Sequence, residues 1–282
     1  MLVSTSGWSK VKHSIQEKIL FGNEPTPELF AILTVYFVQG ILGLSRLAVS
    51  FFLKDELGLS PAEVSALFGI VVLPWVIKPV FGFFSDGFPI FGYRRRPYLI
   101  LSGILGALAW VGMATVVHSS WAAVTAILLS SLSVAVSDVI VDSLVVERAR
   151  AESQAEAGSL QSICWGASAF GGLITAYFSG FLLEHFTTRT VFWITATFPL
   201  IVSGVAWLIA ESPVEKTDDN EDSKNNNFED VKQQVKLLRQ AITQKAIWLP
   251  TAFLFIWQAT PGSESAFFYF TTNELHFQPE FL

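Results

Sequence analysis

Apolar residues gather into seven long runs, near 28–53, 61–85, 97–117, 120–144, 159–182, 190–210 and 246–271, with polar breaks between them. Each run can supply the roughly 20 helical residues needed to cross about 30 Å of hydrocarbon. The runs are too long for spanning strands and lack alternation, so the predicted fold is an all-α polytopic membrane protein. Residues 1–27 are polar and hold no apolar core of signal-peptide length. There Trp8, Val11, Ile15 and Ile19 recur at helical spacing around Lys10, Lys12 and Lys18, which predicts a helix lying on a membrane surface. The longest break, 211–245, contains Asp218 to Asp222 and Asn225 to Asn227, too polar to bury a core of its own. From Glu229 the spacing of Val231, Val235, Leu238 and Ile242 predicts an amphipathic helix leading into the seventh run. The chain is thus divided into four segments: a surface segment at 1–27, a six-helix bundle at 28–210, a linker at 211–245, and helix 7 with the residues beyond it at 246–282.

Composition agrees with a membrane environment. Hydrophobic residues make up 51% of the chain and charged ones only 15%, with a mean hydropathy of +0.48. The 25 Phe and 9 Trp suit a protein that packs rings against lipid and anchors them at its interface. The net charge of −6 carries little weight, because the acids cluster in the linker. Cys164 is the single cysteine, so no disulfide framework exists. The distribution of bases is more telling. Fourteen of the 18 Lys and Arg fall in residues 1–27, at 94–96, at Arg148 and Arg150, and in the linker; Lys54 and Arg189 lie in the opposite breaks. That asymmetry predicts a cytoplasmic N-terminus.

The break between the second and third runs reads Gly82-Phe83-Phe84-Ser85-Asp86-Gly87, then Gly92-Tyr93-Arg94-Arg95-Arg96-Pro97. A helix-end glycine, an aspartate and an arginine cluster suit a short cytoplasmic turn whose aspartate takes an arginine or a helix N-terminus as partner. The pattern resembles the helix 2–3 loop motif of the major facilitator superfamily. It departs from that motif in having six residues, not three, from Asp86 to the next loop glycine, and Gly87 where a base is usual. The extended loop from Ser85 to Tyr98, Pro74-Trp75-Val76-Ile77-Lys78-Pro79 and Ser137-Asp138-Val139-Ile140-Val141-Asp142 resemble the folate–biopterin transporter family within that superfamily. The resemblance covers about 28–210 and returns from Pro261 to Leu275. It implies two six-helix halves, each of two inverted three-helix repeats, and alternating access around a central site. On that basis the chain is expected to be an N-terminal fragment of a twelve-helix carrier. The implied activity is secondary transport of folates or pterins, by exchange or proton coupling, across a cyanobacterial-type bacterial inner membrane or a plastid envelope.

Five ionisable groups fall within the runs, where each costs several kcal/mol unless paired or wetted. Arg46 lies about 7 Å to the outer side of the midpoint of its run at 1.5 Å per residue. Lys78 lies a similar distance toward the cytosol, Asp138 and Asp142 share one face of the fourth run, and Glu264 lies in the seventh. Structural roles are open to most of them. Asp142 can clamp the Arg94–Arg96 cluster or Arg148, Asp138 can pair with Lys78, and Lys78 can reach the inner interface. No acid lies at the depth of Arg46 with an obvious route to it, and its guanidinium suits carboxylates. The implied solute has a flat pterin and a glutamate tail, so the candidate solute contacts are Arg46, Gln39, Lys78, Asp138, Glu264 and Trp165. Gly82, Asp86, Gly92, Arg94, Arg95, Arg96 and Asp142 are the candidates for structure and gating. Asp138 or Glu264 is the expected proton carrier if a proton is used.

Tyr36 and Phe37 are further ring candidates, and aromatic packing is the competing role for them and for Trp165. Gly158, Gly166, Gly171, Gly172 and Gly180 in the fifth run suit close helix packing. Thr260-Pro261-Gly262-Ser263-Glu264 predicts a break in the seventh helix. The sequence carries no phosphate-binding glycine loop with lysine, and His13, His118, His185 and His276 show no metal spacing. No cofactor, nucleic acid or enzymatic role is therefore expected. The competing function is a non-transporting membrane assembly or pigment-delivery factor, whose charges would resolve as pairs near the helix ends.

Overall fold

The computed structural model describes residues 16–18, 20–149, 154–213, 240, 243–258 and 262–282. Most of the expected surface helix at 1–27 and the linker helix from Glu229 lie outside the described residues. The principal helices are α1 (Pro27–Glu56), α2 (Pro61–Gly87), α3 (Arg96–Thr115), α4 (Ser120–Ala149), α5 (Gln154–His185), α6 (Thr188–Val205), α7 (Lys245–Gln258) and α8 (Glu264–Asn273). Among the described residues, α1 to α6 are the helices long and apolar enough to cross a membrane, and α6 continues as a 3₁₀ turn to Leu208. The chain is an all-α polytopic membrane protein. Its seventh apolar run is divided between α7 and α8.

Local chemistry explains where these helices begin and bend. Ser60 accepts from the Glu63 N–H while the Glu63 side chain accepts from the Ser60 N–H, and Pro61 follows at the first helical position, so α2 starts there. Pro74 and Pro79 lack an amide hydrogen, and α2 is accordingly divided at Val72 and Ile77 into Pro61–Val71, Leu73–Val76 and Lys78–Gly87. A turn at Leu42 and Gly43 interrupts α1, and its last turn, Phe52–Glu56, is π-wound. Pro199 is tolerated inside α6.

The contacts between helices follow a reciprocal plan. α1 packs on α5 and α6, while α4 packs on α2 and α3, and α3 packs on α6. Exchanging α1–α3 for α4–α6 maps this set of contacts onto itself, as two related three-helix units require. α1 and α5 approach so closely that a Cβ on Gly40 would strike the Ser168 carbonyl, and one on Gly171 would strike that of Phe37. Gly180 is similarly covered by the backbone of Pro279 and Glu280, whereas Gly158, Gly166 and Gly172 face open space. The expectation of glycine packing along the fifth run therefore holds at two of five positions.

Two buried clusters form the interior. One unites Leu29, Ile32, Val35, Leu99, Ile140 and Val202; the other unites Phe52, Leu53, Trp110, Met113, Val191 and Phe192. In the second, Phe192 lies edge-on to Phe52 at 5.6 Å and stacks on Trp110 at 5.7 Å. The spans of α1 and α4 bury 50% and 56% of their residues, those of α2 and α5 only 11% and 17%. α2 and α5 are thus less covered by the rest of the bundle than α1 and α4.

Candidate functional site

The loop at 88–95 marks one end of the bundle, the basic end. Two hydrogen bonds of 2.9 Å between Ile90 and Tyr93 close a tight turn, with Phe91 at φ 54° and Gly92 at φ 83°. Both central residues are left-handed, as a type I′ turn demands, and only Gly92 adopts that geometry without strain. Arg95 then bridges Asp86 and Glu147, at 2.7 Å each, tying the end of α2 to α4. Arg96 donates to the Ile209 carbonyl at 2.6 Å and lies over the rings of Tyr93 and Trp207. The Glu211 carboxylate accepts from the backbone N–H groups of Arg94, Arg95 and Arg96 at 2.5, 2.9 and 2.9 Å. It caps α3, whose own N-cap residue, Arg95, offers no acceptor. A Cβ on Gly82 would meet the Val139 side chain at 3.3 Å, so α2 passes close to α4 there. Glu211 was absent from the expected site residues. The signal for it was available: Arg94-Arg95-Arg96-Pro97 opens a helix without a capping oxygen, so the acceptor had to come from elsewhere.

One level further in, Lys78 joins α2 to α4. Its ammonium is paired with Asp138 and, at 2.7 Å, with Asp142. The Tyr36 hydroxyl of α1 donates to Asp142 at 2.6 Å, and Lys78 lies 5.8 Å from the centre of the Trp75 ring. Asp142 thus serves Lys78 and Tyr36; Arg95 takes Asp86 and Glu147 instead, and Arg148 donates to Thr26 and the Glu24 carbonyl. Gln39 flanks Asp138, and its buried amide nitrogen lacks a hydrogen-bond partner of regular geometry among the described residues. This node has one cation for two carboxylates. Asp138 is nearly buried while the Asp142 side chain is 43% exposed, so the node reaches from the interior toward solvent.

An open cleft lies toward the far end, in two adjoining lobes. A lobe of about 570 Å³ is bounded by α1, α2 and α8, with Arg46, Ser50, Phe68, Glu264 and Phe268 on its walls. A second, of about 400 Å³, is bounded by α1, α5 and α8, with Thr175 and Ser179. Arg46, Ser50, Glu264 and Phe268 line both, so they stand where the lobes meet. Arg46 lies ten residues from the far end of α1 and Glu264 nine from that of α8, which gives the two charges similar depth. Both side chains are exposed in the cleft, and neither has an ion pair within 4.0 Å or a side-chain hydrogen bond among the described residues. Around them α8 is fastened across the bundle. The Tyr269 hydroxyl donates to the Leu59 carbonyl, and Phe268 meets Phe51 edge-on at 5.1 Å. Residues Pro279–Phe281 rest on α5 at Gly180.

The expected solute contacts are therefore divided. Arg46 and Glu264 share the cleft. Lys78 and Asp138 do not line it, because they satisfy each other one level closer to the basic end. A single cleft holding Arg46, Asp138 and Glu264 is thus not what forms: α4 contributes no wall residue, and α2 and α5 do. Gln39 borders a small cavity of about 10 Å³ with Ser137 and Pro199. Trp165 is 68% exposed on α5 and lines neither lobe. Tyr36 is engaged with Asp142, and Phe37 packs on Phe170. The rings that do line the cleft, Phe68, Phe267 and Phe268, look in the sequence like any other membrane phenylalanine.

Comparison with known proteins places this arrangement. Residues 39–282 match the BT1 family. The chain is 59% identical over 272 residues to a folate-biopterin transporter of Synechocystis sp., covering 96% of the chain and 53% of that relative. It is 33% identical over 205 residues to probable folate-biopterin transporter 4 of Arabidopsis thaliana, covering 72% of the chain and 42% of that relative. It is 30% identical over 257 residues to folate transporter 2 of Plasmodium falciparum, covering 90% and 54%. The chain spans about half the length of the curated relatives it matches. By the family match and by these identities, the chain belongs to the BT1 family.

Proposed function

We propose that this chain supplies solute-binding and gating elements of a secondary carrier for folates and pterins, working by alternating access. The observation that carries the reading is the cleft in which Arg46 and Glu264 stand without an ion pair among the described residues, in a family whose relatives are named for these solutes. Transport, not catalysis, accounts for charges held within membrane helices around an open cleft. A folate tail carries carboxylates, and a guanidinium binds a carboxylate through two parallel hydrogen bonds. The basic end faces the cytosol, as the fourteen-to-two excess of Lys and Arg implies, in an inner membrane of cyanobacterial type or a plastid envelope. Proton coupling rests on the node at Lys78. Its two carboxylates exceed its one cation, and a proton on either aspartate would balance the charge within the membrane.

The test is Arg46→Lys in cells expressing the gene that encodes this chain. Lysine keeps the charge and loses the planar fork. Loss of a bidentate pair costs about 1.5–3 kcal/mol, or about one to two decades in affinity. Folate uptake should fall accordingly while membrane insertion is unchanged, and a pterin without the glutamate tail should be carried as before. Unchanged folate uptake contradicts the assignment of Arg46, and equal losses for both solutes place it in a structural or gating role.

A further inference from the structure

The two lobes differ in their walls, and Glu264 stands at their junction without an ion pair or side-chain hydrogen bond among the described residues. An uncompensated carboxylate facing a cleft within the membrane calls for a ligand that donates. The larger lobe adds Phe68 to the shared Phe268, giving it two aromatic walls. The smaller adds Thr175, Ser179 and Thr271, and its two rings, Phe267 and Phe268, both stand on α8. The Thr175 hydroxyl is already turned to the carbonyls of Gly40 and Ile41, while that of Ser179 has no partner among the described residues.

Resting on the folate and pterin reading above, we propose that the cleft reads its solute as two separate halves, the ring in the larger lobe and the tail in the smaller. Glu264 is the group that recognises the ring. A pterin has an exocyclic amine and an adjacent ring N–H on one edge, two nearly parallel donors that match the two oxygens of a carboxylate. With the ring between Phe68 and Phe268, that edge meets Glu264. The tail then lies along α5, its carboxylate on Arg46 and within reach of Ser179. The shared position of Arg46 and Glu264 lets each serve one half of the same molecule. A 2-amino-4-oxopyrimidine edge is thereby required for the ring lobe. A flat heterocycle with acceptors at those positions faces the carboxylate with lone pairs and is rejected.

The experiment measures binding to the purified protein by titration calorimetry with three probes: folate, biopterin as ring alone, and p-aminobenzoylglutamate as tail alone. Glu264→Gln, which is close in shape and replaces one acceptor oxygen by a donor, should weaken biopterin and folate about ten- to hundredfold and leave p-aminobenzoylglutamate within about twofold. Arg46→Lys should do the reverse for the two half-probes. Phe68→Leu gives an independent check on the ring lobe and should weaken biopterin without touching the tail probe. If Glu264→Gln weakens the tail probe as much as biopterin, or leaves biopterin unchanged, the inference is overturned and Glu264 is a gating or structural group. Failure of the unmodified protein to bind any of the three probes overturns the folate and pterin reading itself, a separate result from either of those.

Discussion

A guanidinium within a membrane helix needs a partner or water, and that requirement made Arg46 legible in the sequence. Glu264 was legible for the same reason. The cost of burying charge marks a residue as having a task without saying which. The task depends on what folding brings near, and here Lys78, Asp138 and Asp142 compensate one another while Arg46 and Glu264 do not. A stability measurement separates the two kinds of charge. Lys78→Met leaves two carboxylates without their cation and should lower the melting midpoint in detergent by several degrees. The full cost of breaking a buried pair, about 3–5 kcal/mol, is reduced here because Asp142 is partly solvated. Adding Asp138→Asn should restore part of the loss. Arg46→Met, which breaks no pair, should leave the midpoint nearly unchanged. If Lys78→Met is as stable as the unmodified protein, the node is not holding α2 to α4.

Helices were the most legible elements, since about 20 apolar residues in a row leave few alternatives. The divisions of α2 followed from Pro74 and Pro79, whose missing amide hydrogens are fixed by residue type. Tertiary partners were less accessible. Five glycines in the fifth run look alike in sequence, but only at Gly171 and Gly180 would an added Cβ strike another backbone. Glu211 escaped notice because its role depends on α6 ending beside the start of α3, a fact of packing. As a cap on three backbone N–H groups it holds the basic-end loop in register. Glu211→Ala should lower stability by about 1–2 kcal/mol and increase amide hydrogen exchange at Arg94 to Arg96. Glu211→Gln keeps an acceptor and loses the charge, so an intermediate effect is expected. No increase in exchange in either variant would show that the loop is held by Arg95 and its carboxylates alone.

For the molecule as a whole, the reciprocal contacts of α1–α3 with α4–α6 are the frame on which a carrier cleft can form. Charge bias and apolar length suggested the layout, and the loop and helix motifs suggested the family. The position of the cleft was only half foreseen. It opens among α1, α2, α5 and α8, so the two least buried spans, α2 and α5, supply part of its walls. Its most direct test uses Ser50, which lines both lobes, and takes advantage of Cys164 being the only native thiol and buried. In Ser50→Cys protein, a small polar thiol reagent should label position 50, and saturating folate should slow that labelling at least about tenfold. Ser119→Cys, exposed in the loop between α3 and α4, is the control and should label at one rate throughout. Labelling of position 50 that proceeds equally fast with and without bound folate would contradict the claim that this cleft is where the solute sits.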